Sequence, residues 1–356
     1  MSDINTYDVT AYLKAAVEDG ASDIFIVSGL PVSYKKDMRI QPADDIMVMP
    51  EIGNKLVSEL YELAGRLADR FENSGDDDFS ISIPGMSRFR ISTFKQRGSM
   101  AAVIRVVKFE LPKYQELGIP DEVMSIAQKS RGLVLVTGPA GGGKSTTLAC
   151  IIDAINASRN AHIITLEDPI EFLHRNKMGI VSQREVGTDT ESYLTALRAS
   201  LRQAPNVILL GEMRDFETIR TAMTAAETGH LVISTLHTVG AVNSIDRIID
   251  AFPPNQQQQI RVQLSMVLQS VISQQLIPTV DDRLTAVFEI MHLNSSIRNL
   301  VRESKIHQID FVIQSSAAEG MLSMDGSLAN LFKEGKITRE TALKYANNVE
   351  QLERKL

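Results

Sequence analysis

The hydrophobic and polar positions of the first 110 residues follow two different periods. Apolar residues at helical spacing occur over 9–18, which Gly20 ends, and again over 51–71. Segment 23–28 and the alternating runs 79–83, 88–94 and 100–107 are typical of half-buried strands, with a hairpin turn at 95–99. The charged run 74–78 is predicted to be a solvated turn. The pattern therefore predicts a small α+β domain over residues 1–110.

After residue 110, the pattern of hydrophobic and polar residues divides the chain into a linker and two further regions. Pro112 and Pro120 lack the backbone N–H groups that regular structure uses, so 111–120 is predicted to be a linker. Over 121–293, short apolar strands alternate with helices, which predicts an α/β fold with a mostly parallel sheet and helices on both faces. Residues 294–356 are largely polar and are predicted to form a helical C-terminal region.

A glycine-rich loop follows the continuous apolar run 133–137, which is typical of a strand buried on both faces. A helix is predicted directly after the loop, and this strand–loop–helix context is the one that a phosphate-binding loop requires. Glycines let backbone N–H groups surround the phosphates of ATP, with Lys144 at the β/γ oxygens and Ser145 on Mg²⁺. The predicted nucleotide-binding residues are Gly138, Pro139, Ala140, Gly141, Gly142, Gly143, Lys144, Ser145 and Thr146.

Acidic residues follow two further predicted strands of this domain. Glu167 and Asp168 come after strand 163–166, and Glu212 comes shortly after strand 207–210. Ligands of open parallel sheets bind at these carboxyl ends. We therefore predict that Glu212 is the general base that polarises the attacking water. The Glu167–Asp168 pair is a candidate to orient a water or, through Asp168, to hold the metal, and it fits a solvated loop equally well.

Two histidines flank the apolar strand 231–235. His237, after the strand, is a candidate sensor of the γ-phosphate, whereas His230, before it, fits a catalytic role and a packed core histidine equally well. Being seven positions apart, they point to opposite faces of an extended strand, and no cysteine or third nearby histidine completes a metal site.

Composition narrows the class of protein. The net charge of −7 argues against broad binding to nucleic acid, which requires a basic surface. Cys150 is the single cysteine, so an intramolecular disulfide is excluded, as is a multi-cysteine zinc site. No run of 18 apolar residues predicts an integral membrane segment, and the N-terminus does not resemble a signal peptide. We expect a cytoplasmic protein that is able to dock on a membrane complex.

Taken together, these segments resemble the motor ATPases of type II secretion and type IV pili, most closely the twitching-motility retraction branch. The Walker A box of that family is similar to residues 138–147, its Asp box to 163–172, its Walker B box to 207–215 and its His box to 228–238. The Walker B glutamate, here Glu212, is the family's catalytic base. Ala140 and Gly142 stand where the family usually has Thr and Ser, and both keep the backbone cradle.

The resemblance implies a RecA-like P-loop ATPase domain behind a small PAS-like domain. It also implies that arginines of the PAS-like domain reach a nucleotide held by a neighbouring subunit, and Arg90 and Arg105 are the best candidates. The expected unit is a homo-hexamer at the inner face of the cell membrane that pulls on the pilus platform protein. Pilus extension or secretion ATPases, a DNA translocase and a non-hydrolysing scaffold are the alternatives.

Retraction is expected on two further grounds. Extension and export members usually carry a tetracysteine zinc knuckle, which a chain with Cys150 alone does not contain. Residues 296–300 resemble the Ala-Ile-Arg-Asn-Leu motif of retraction motors, with Ser296 in place of Ala. Ser295 or Ser296 is predicted to cap a helix whose apolar residues face the domain and whose Arg298 points outward.

Overall fold

The computed structural model of the chain describes residues 7–36, 39–107 and 111–356. As far as they are described, these residues form two compact units, Met1–Glu110 with Glu171–Leu173, and Leu111–Ile170 with His174–Leu356. The predicted linker, 111–120, belongs to the second unit, and its Ile119 is buried in the core of that unit. Among the helices so described, none combines the length and the apolar character needed to cross a membrane.

The first unit is an antiparallel sheet with helices packed on it. Its helices are α1 (Val9–Asp19), α2 (Pro50–Ala64) and α3 (Asp69–Ser74), and its strands are β1 (Asp23–Ile26), β2 (Pro31–Lys36), β3 (Arg39–Met47), β4 (Asp76–Ile83), β5 (Ser87–Gln96) and β6 (Ser99–Val107). The strands pair in the order β3-β2-β1-β6-β5-β4. Leu13, Leu56 and Phe71, one from each helix, share a core with Ile91 and other sheet residues. The unit is α+β, as predicted, although β2 and β3 lie where no strand is predicted.

The single helix predicted over 51–71 is divided in two, so that prediction is wrong. Gly65 adopts a φ of 59°, and the N–H groups of Gly65 and Arg66 donate to the carbonyls of Glu62 and Tyr61. Such bonds satisfy the last carbonyls of α2 and end it, because a left-handed residue cannot continue the helix. A new helix, α3, then begins at Asp69.

The charged run 74–78 is also different from its prediction as a solvated turn. Residues from Asp76 onward belong to β4, and the side chain of Asp77 is buried at 2% exposure. Arg66 donates a hydrogen bond to Asp77 at 3.0 Å, and the hydroxyl of Tyr61 lies 3.4 Å from the same carboxylate. Asp77, Phe79 and Ile81 alternate on the buried face of the strand, because successive side chains point to opposite faces. A buried carboxylate needs such partners.

The second unit is a mostly parallel sheet between two layers of helices. Its strands are β7 (Gly132–Thr137), β8 (His162–Glu167), β9 (Ile180–Glu185), β10 (Val207–Leu210), β11 (Leu231–Leu236), β12 (Leu268–Pro278) and β13 (Leu284–His292). Its first helices are α4 (Asp121–Met124), α5 (Lys144–Ser158), α6 (Tyr193–Ser200), α7 (Phe216–Glu227), α8 (Ala241–Asp250) and α9 (Pro254–Val267). The strand order is β13-β12-β7-β11-β10-β8-β9, and β13 runs antiparallel to β12. Leu133 and Leu135 of β7 enter one core, and Val134 and Val136 enter the other. The predicted α/β fold is confirmed.

The C-terminal region is helical, as predicted, and comprises α10 (Ser295–Arg302), α11 (Ile309–Ser315), α12 (Met324–Lys333), α13 (Arg339–Lys344) and α14 (Val349–Glu353). Asn294, rather than Ser295 or Ser296, caps α10, because its side chain accepts the N–H of Ile297 at 3.0 Å. Arg298 does not simply point outward. It donates to the carbonyl of Ser265 at 2.6 Å, at the end of α9, where carbonyls without helical partners attract a cation.

Glu289 of β13 connects the C-terminal region to the start of α8. The Glu289 side chain is buried and accepts the N–H of Ala241 at 2.7 Å with one oxygen. Its other oxygen accepts the side-chain amide of Asn347 at 3.1 Å. Ser273, its partner across the strands, accepts the N–H of Gly240 at 2.8 Å. Two side chains of the sheet therefore cap the first N–H groups of α8. Burial raises the pKa of Glu289.

Candidate active site

The glycine-rich loop connects β7 to α5 through backbone conformations that other residues rarely adopt. Gly138, Gly141 and Gly143 have φ values of 141°, 73° and 82°. A side chain at these positions would strain the backbone, so the glycines are required by the path of the chain. Pro139 and Ala140 lie at the start of the loop, with Ala140 exposed. The loop thus has the conformation in which its N–H groups can surround an anion.

Lys144 is the first residue of α5 and is folded back over the loop. Its side chain is 8% exposed, and Nζ donates to the carbonyl oxygens of Gly138 and Pro139, both at 2.8 Å. A buried ammonium group needs such acceptors. The contacts place the cation directly above the first residues of the loop, where a phosphate held by the loop would lie.

The N-terminus of α5 is arranged to receive negative charge. Gly143 is its N-cap residue and has no side chain that would compete for the first N–H groups, so these groups and the helix dipole favour a phosphate. The hydroxyls of Ser145 and Thr146 follow in the first turn, where both residues are half-buried. Mg²⁺ fits this position, because a hydroxyl at the helix start and phosphate oxygens form its usual ligand set in P-loop proteins. Within the described ranges, no group of three or more His, Cys, Asp or Glu is suited to hold a metal ion by itself.

The acidic residues at the carboxyl ends of β8 and β10 lie near Tyr193, at the start of α6. The two strands are parallel neighbours, with Leu166 opposite Leu210, so their carboxyl ends lie at one edge of the sheet. Burial raises the pKa of Tyr193, and the negative charges of Asp168, Glu212 and Glu167 raise it further. The three carboxylates therefore lie at one edge of the sheet, and the neutral phenol of Tyr193 lies near them.

Glu212 is paired with two other residues of the site. Its side chain is 13% exposed, and one oxygen lies 2.6 Å from Nη2 of Arg214. Its other oxygen lies 3.4 Å from Nε2 of His237, whose ring is largely exposed. The carboxylate of Glu212 raises the pKa of Arg214. The structure thus places His237 and Arg214 beside the predicted base.

Glu167 and Asp168 differ in their surroundings. Glu167 is half-buried and accepts hydrogen bonds from the Thr165 hydroxyl at 2.6 Å and from the Gln183 amide at 3.2 Å. These contacts fix its carboxylate against β8 and β9. Asp168 is exposed, so its oxygens are accessible to water or a cation. Orientation of a water by Glu167 and metal binding by Asp168 stay predictions.

His230 lies at the other end of β11 from His237. The six residues Leu231–Leu236 separate them, a distance of roughly 20 Å along a strand. Its ring Nδ1 lies 2.9 Å from the carbonyl oxygen of Ala225 and 3.2 Å from the Thr228 hydroxyl, so it is packed against the end of α7. Within one chain, the structure does not bring His230 to Glu212, and a catalytic role for it stays a prediction.

Arg90 and Arg105 lie opposite each other on β5 and β6 of the first unit. Together with Asp23 and Asp78 they line a shallow cavity of about 210 Å³ on the sheet. Arg105 donates through Nε to Asp23 at 3.1 Å, while the Ser22 hydroxyl donates to the other Asp23 oxygen at 2.8 Å. Asp23 thus anchors Nε and leaves the two terminal nitrogens of the largely exposed Arg105 side chain to face outward.

Two residues of the site were not among the predicted functional residues. Arg214 lies within the segment that resembles the Walker B box, so its spacing from Glu212 was a usable signal. Tyr193 has no such signal, because it reaches the site only through the packing of α6 against β8 and β10.

Comparison with known proteins places this geometry in a family. The family model described as type II/IV secretion system protein matches residues 3–310. The type IV pilus retractation ATPase PilT of Pseudomonas aeruginosa is 43% identical over 337 residues, covering 94% of this chain and 97% of that protein. A twitching motility protein of Neisseria gonorrhoeae is 45% identical over 307 residues, covering 86% of this chain and 81% of that protein.

A solved structure agrees with these sequence relatives. The crystal structure of the pilus retraction motor PilT with bound ADP superposes with a TM-score of 0.89 at 44% identity, covering 98% of this chain and 99% of that one. The family expected from the sequence motifs is thereby confirmed. The chain belongs to the family of type II/IV secretion system proteins.

Proposed function

We propose that this protein is an ATP-hydrolysing motor that retracts type IV pili, working as a homo-hexamer on the cytoplasmic face of the cell membrane. The observation that carries the proposal is the common sheet edge at which the phosphate loop, Lys144 and Glu212 lie. Support comes from relatives named as a pilus retractation ATPase and a twitching motility protein, and from the similar motor structure that holds ADP.

The proposed reaction is an in-line displacement at the γ-phosphorus. Glu212 takes a proton from a water while the water oxygen bonds to phosphorus, and the bond from phosphorus to the ADP oxygen breaks. The loop N–H groups and Lys144 hold the phosphate charge, and Lys144 exchanges its loop carbonyls for phosphate oxygens. Mg²⁺, held by Ser145, would neutralise further charge. One oxygen of Glu212 lies beside Arg214 and the other beside His237, and each keeps a further lone pair for the water, so these two neighbours would orient the base.

The proposed assembly of several subunits rests on the position of the arginines, and the number six rests on the resemblance to the pilus motor family. Arg90 and Arg105 present guanidinium groups on the sheet of the first unit, and a guanidinium pairs well with phosphate oxygens. In the proposal these groups complete the site of a neighbouring subunit, so hydrolysis requires an interface between subunits, and a ring provides one for every site. Domain movement during hydrolysis would then pull on the platform protein in the membrane.

Three variants test the chemistry. Lys144→Ala should abolish nucleotide binding. Glu212→Gln should bind ATP but hydrolyse it about 10²–10⁴-fold more slowly, because it keeps its shape and loses the base. Glu217→Gln, an exposed carboxylate on α7, is the matched control and should hydrolyse ATP normally. Near-normal turnover by Glu212→Gln would move the base to Glu167.

A mixing experiment tests action across subunits. Arg105→Ala and Lys144→Ala are each expected to be inactive, and mixed rings should regain activity where an intact arginine faces an intact loop. A trans arginine contributes about 10³–10⁵-fold in other P-loop enzymes. Arg97→Ala, in the turn between β5 and β6, is the control. Mixed rings that form and stay inactive would contradict the assignment.

Retraction is tested in cells. A deletion strain should accumulate surface pili and lose twitching motility, whereas a strain without pili would indicate an extension motor instead. Arg298→Ala should stop motility and leave ATP hydrolysis largely intact. Loss of ATPase activity in Arg298→Ala would instead show that its bond to α9 is required for the enzyme fold.

A further inference from the structure

Gln274 of β12 lies directly beneath the phosphate loop. β12 is the parallel neighbour of β7, and Ser273 pairs with Thr137, the last residue of β7. The following residue, Gln274, is therefore opposite the first residue of the loop. Gln274 is 2% exposed, so its polar side chain is enclosed by protein.

The backbone of Gln274 is in close contact with the loop. A Cβ added to Gly138 would lie 2.0 Å from the Gln274 carbonyl oxygen, and one added to Gly142 would lie 3.3 Å from the same atom. Gly138 and Gly142 are the first and fifth residues of the loop, so the chain passes over this carbonyl twice. Any side chain at Gly138 would collide with β12, and the glycine there is required by contact as well as by its φ of 141°.

The side chain of Gln274 continues these contacts into α5. A Cβ on Gly143 would lie 2.7 Å from Nε2 of Gln274. The hydroxyl of Thr147, in the first turn of α5, donates to Oε1 of Gln274 at 2.7 Å. One buried residue therefore touches the beginning of the loop, its end and the helix that follows.

We infer that Gln274 is a positioning residue that holds the phosphate loop in the conformation that binds a nucleoside di- or triphosphate. Glycines have many accessible conformations, and a loop made of them loses affinity when it must be ordered by the ligand. Contact with Gln274 orders the loop in advance. The inference rests on the proposed function insofar as the loop is taken to bind phosphate.

The test compares Gln274→Met with Thr147→Val in the full-length protein. Methionine keeps the length of the side chain and loses the acceptor, and valine keeps the shape of threonine and loses the donor. Each should weaken ADP binding, measured by calorimetry, and raise the KM for ATP by roughly 2- to 12-fold, the range that corresponds to one net hydrogen bond. The value of kcat should change less, because Glu212 is not contacted. Thr147→Ser should recover most of the affinity that Thr147→Val loses.

Two further variants make the result specific to this contact. Gln275→Met, the same exchange on the opposite face of β12, should bind ADP as the unchanged protein does. The double variant Gln274→Met/Thr147→Val should bind ADP about as weakly as the weaker single variant, because both remove one hydrogen bond. Unchanged ADP affinity in Gln274→Met, or equal losses in Thr147→Val and Thr147→Ser, would overturn the inference.

Folding and function are separated by two readouts. If Gln274→Met does not fold, the Thr147 pair still tests the hydrogen bond with Gln274 in place. Normal ADP binding by Lys144→Ala would contradict the proposed function, whereas normal ADP binding by Gln274→Met with a defective Lys144→Ala would contradict only the inference about Gln274. The expected pattern is a weakened ADP affinity together with a melting temperature lowered by about 1–6 °C, the loss that corresponds to one net hydrogen bond.

Discussion

Gly211 lies between β10 and Glu212 and has no room for a methyl group. The substitution Gly211→Ala is therefore expected to displace residues of the candidate active site. A Cβ at this position would lie 2.6 Å from the hydroxyl oxygen of Tyr193 and 3.1 Å from the carbonyl oxygen of Leu166. The φ of Gly211 is not in the left-handed region, so alanine is compatible with the backbone and the effect is steric. Either the ring of Tyr193 or the segment that carries Glu212 must move.

The magnitude follows from the depth of the overlap. A carbon and an oxygen in ordinary contact are about 3.4 Å apart or more, so the 2.6 Å contact requires a displacement of nearly 1 Å. Overfilling a packed site by one methyl costs about 1–3 kcal/mol. Each kcal/mol lowers the melting temperature of a domain of this size by about 2–4 °C. A displacement of about 1 Å of a catalytic group reduces turnover by roughly 10²-fold.

The assay combines thermal unfolding with ATP turnover at saturating ATP. Gly211→Ala should lose stability and activity and should still bind ADP, because the phosphate loop is not contacted. Tyr193→Phe removes the colliding oxygen, so the double variant Gly211→Ala/Tyr193→Phe should recover stability and part of the turnover. Tyr193→Phe alone serves as the control for loss of the hydroxyl.

Rescue is the decisive result. If the double variant is as unstable and inactive as Gly211→Ala, the collision with Tyr193 is not the cause of the defect. If Gly211→Ala itself is stable and active, the ring of Tyr193 moves aside without displacing Glu212, and the expected steric effect on the site is refuted.

Three further predictions concern stability and reactivity. Asp77→Asn should lower the free energy of unfolding in urea by about 3 kcal/mol, because it leaves Arg66 without its buried charged partner. The control Asp76→Asn, at an exposed position, should change it by less than about 0.5 kcal/mol. Equal effects of the two variants would contradict the burial of Asp77. Burial, aided by Lys129, lowers the pKa of His292 in the folded protein, so stability is lost as pH falls through the ordinary value of about 6.5. Thermal melts from pH 7.5 to 5.5 should therefore show a steeper loss for the unchanged protein than for His292→Gln, and parallel curves would contradict this. Burial, aided by Asp153, raises the pKa of the Cys150 thiol to about 11, so iodoacetamide at pH 8 should label the native protein far more slowly than the urea-unfolded one; similar rates would contradict it.

The parts of the fold that were predictable are those specified by neighbouring residues. The phosphate loop is defined by glycines, Lys144 and Ser145 within eight positions, and the buried strands are continuous apolar runs. The grouping of Glu167 with Glu212 was also predictable, since carboxyl ends of parallel strands share one edge. Neighbouring residues determine these features, so the structure differs little from the prediction there.

The parts that were not predictable depend on partners distant in sequence. In the sequence, Asp77 is one charge in a run of charged residues, and only the fold brings Arg66 and Tyr61 beside it. In the sequence, Arg298 has the pattern of an exposed helix residue, and only the fold brings the end of α9 beside it. Gln274 lies 136 positions after Gly138, the first residue of the loop, and belongs to no sequence motif. Tertiary packing assigns each of these polar groups its partner, and no local pattern encodes that choice.

The two hydrogen bonds of Glu289 have a thermodynamic consequence for the C-terminal helices. One carboxylate holds both the N–H of Ala241, which follows the His237 segment, and the amide of Asn347. A movement of the His237 segment that draws Ala241 away leaves a buried oxygen without a donor, and this changes the free energy with which Asn347 is bound. Linkage is reciprocal, so a force that displaces Asn347 changes the free energy of moving Ala241 by the same amount. The position of the C-terminal helices and that of the segment that carries His237, beside the proposed base Glu212, are therefore thermodynamically linked through one buried side chain.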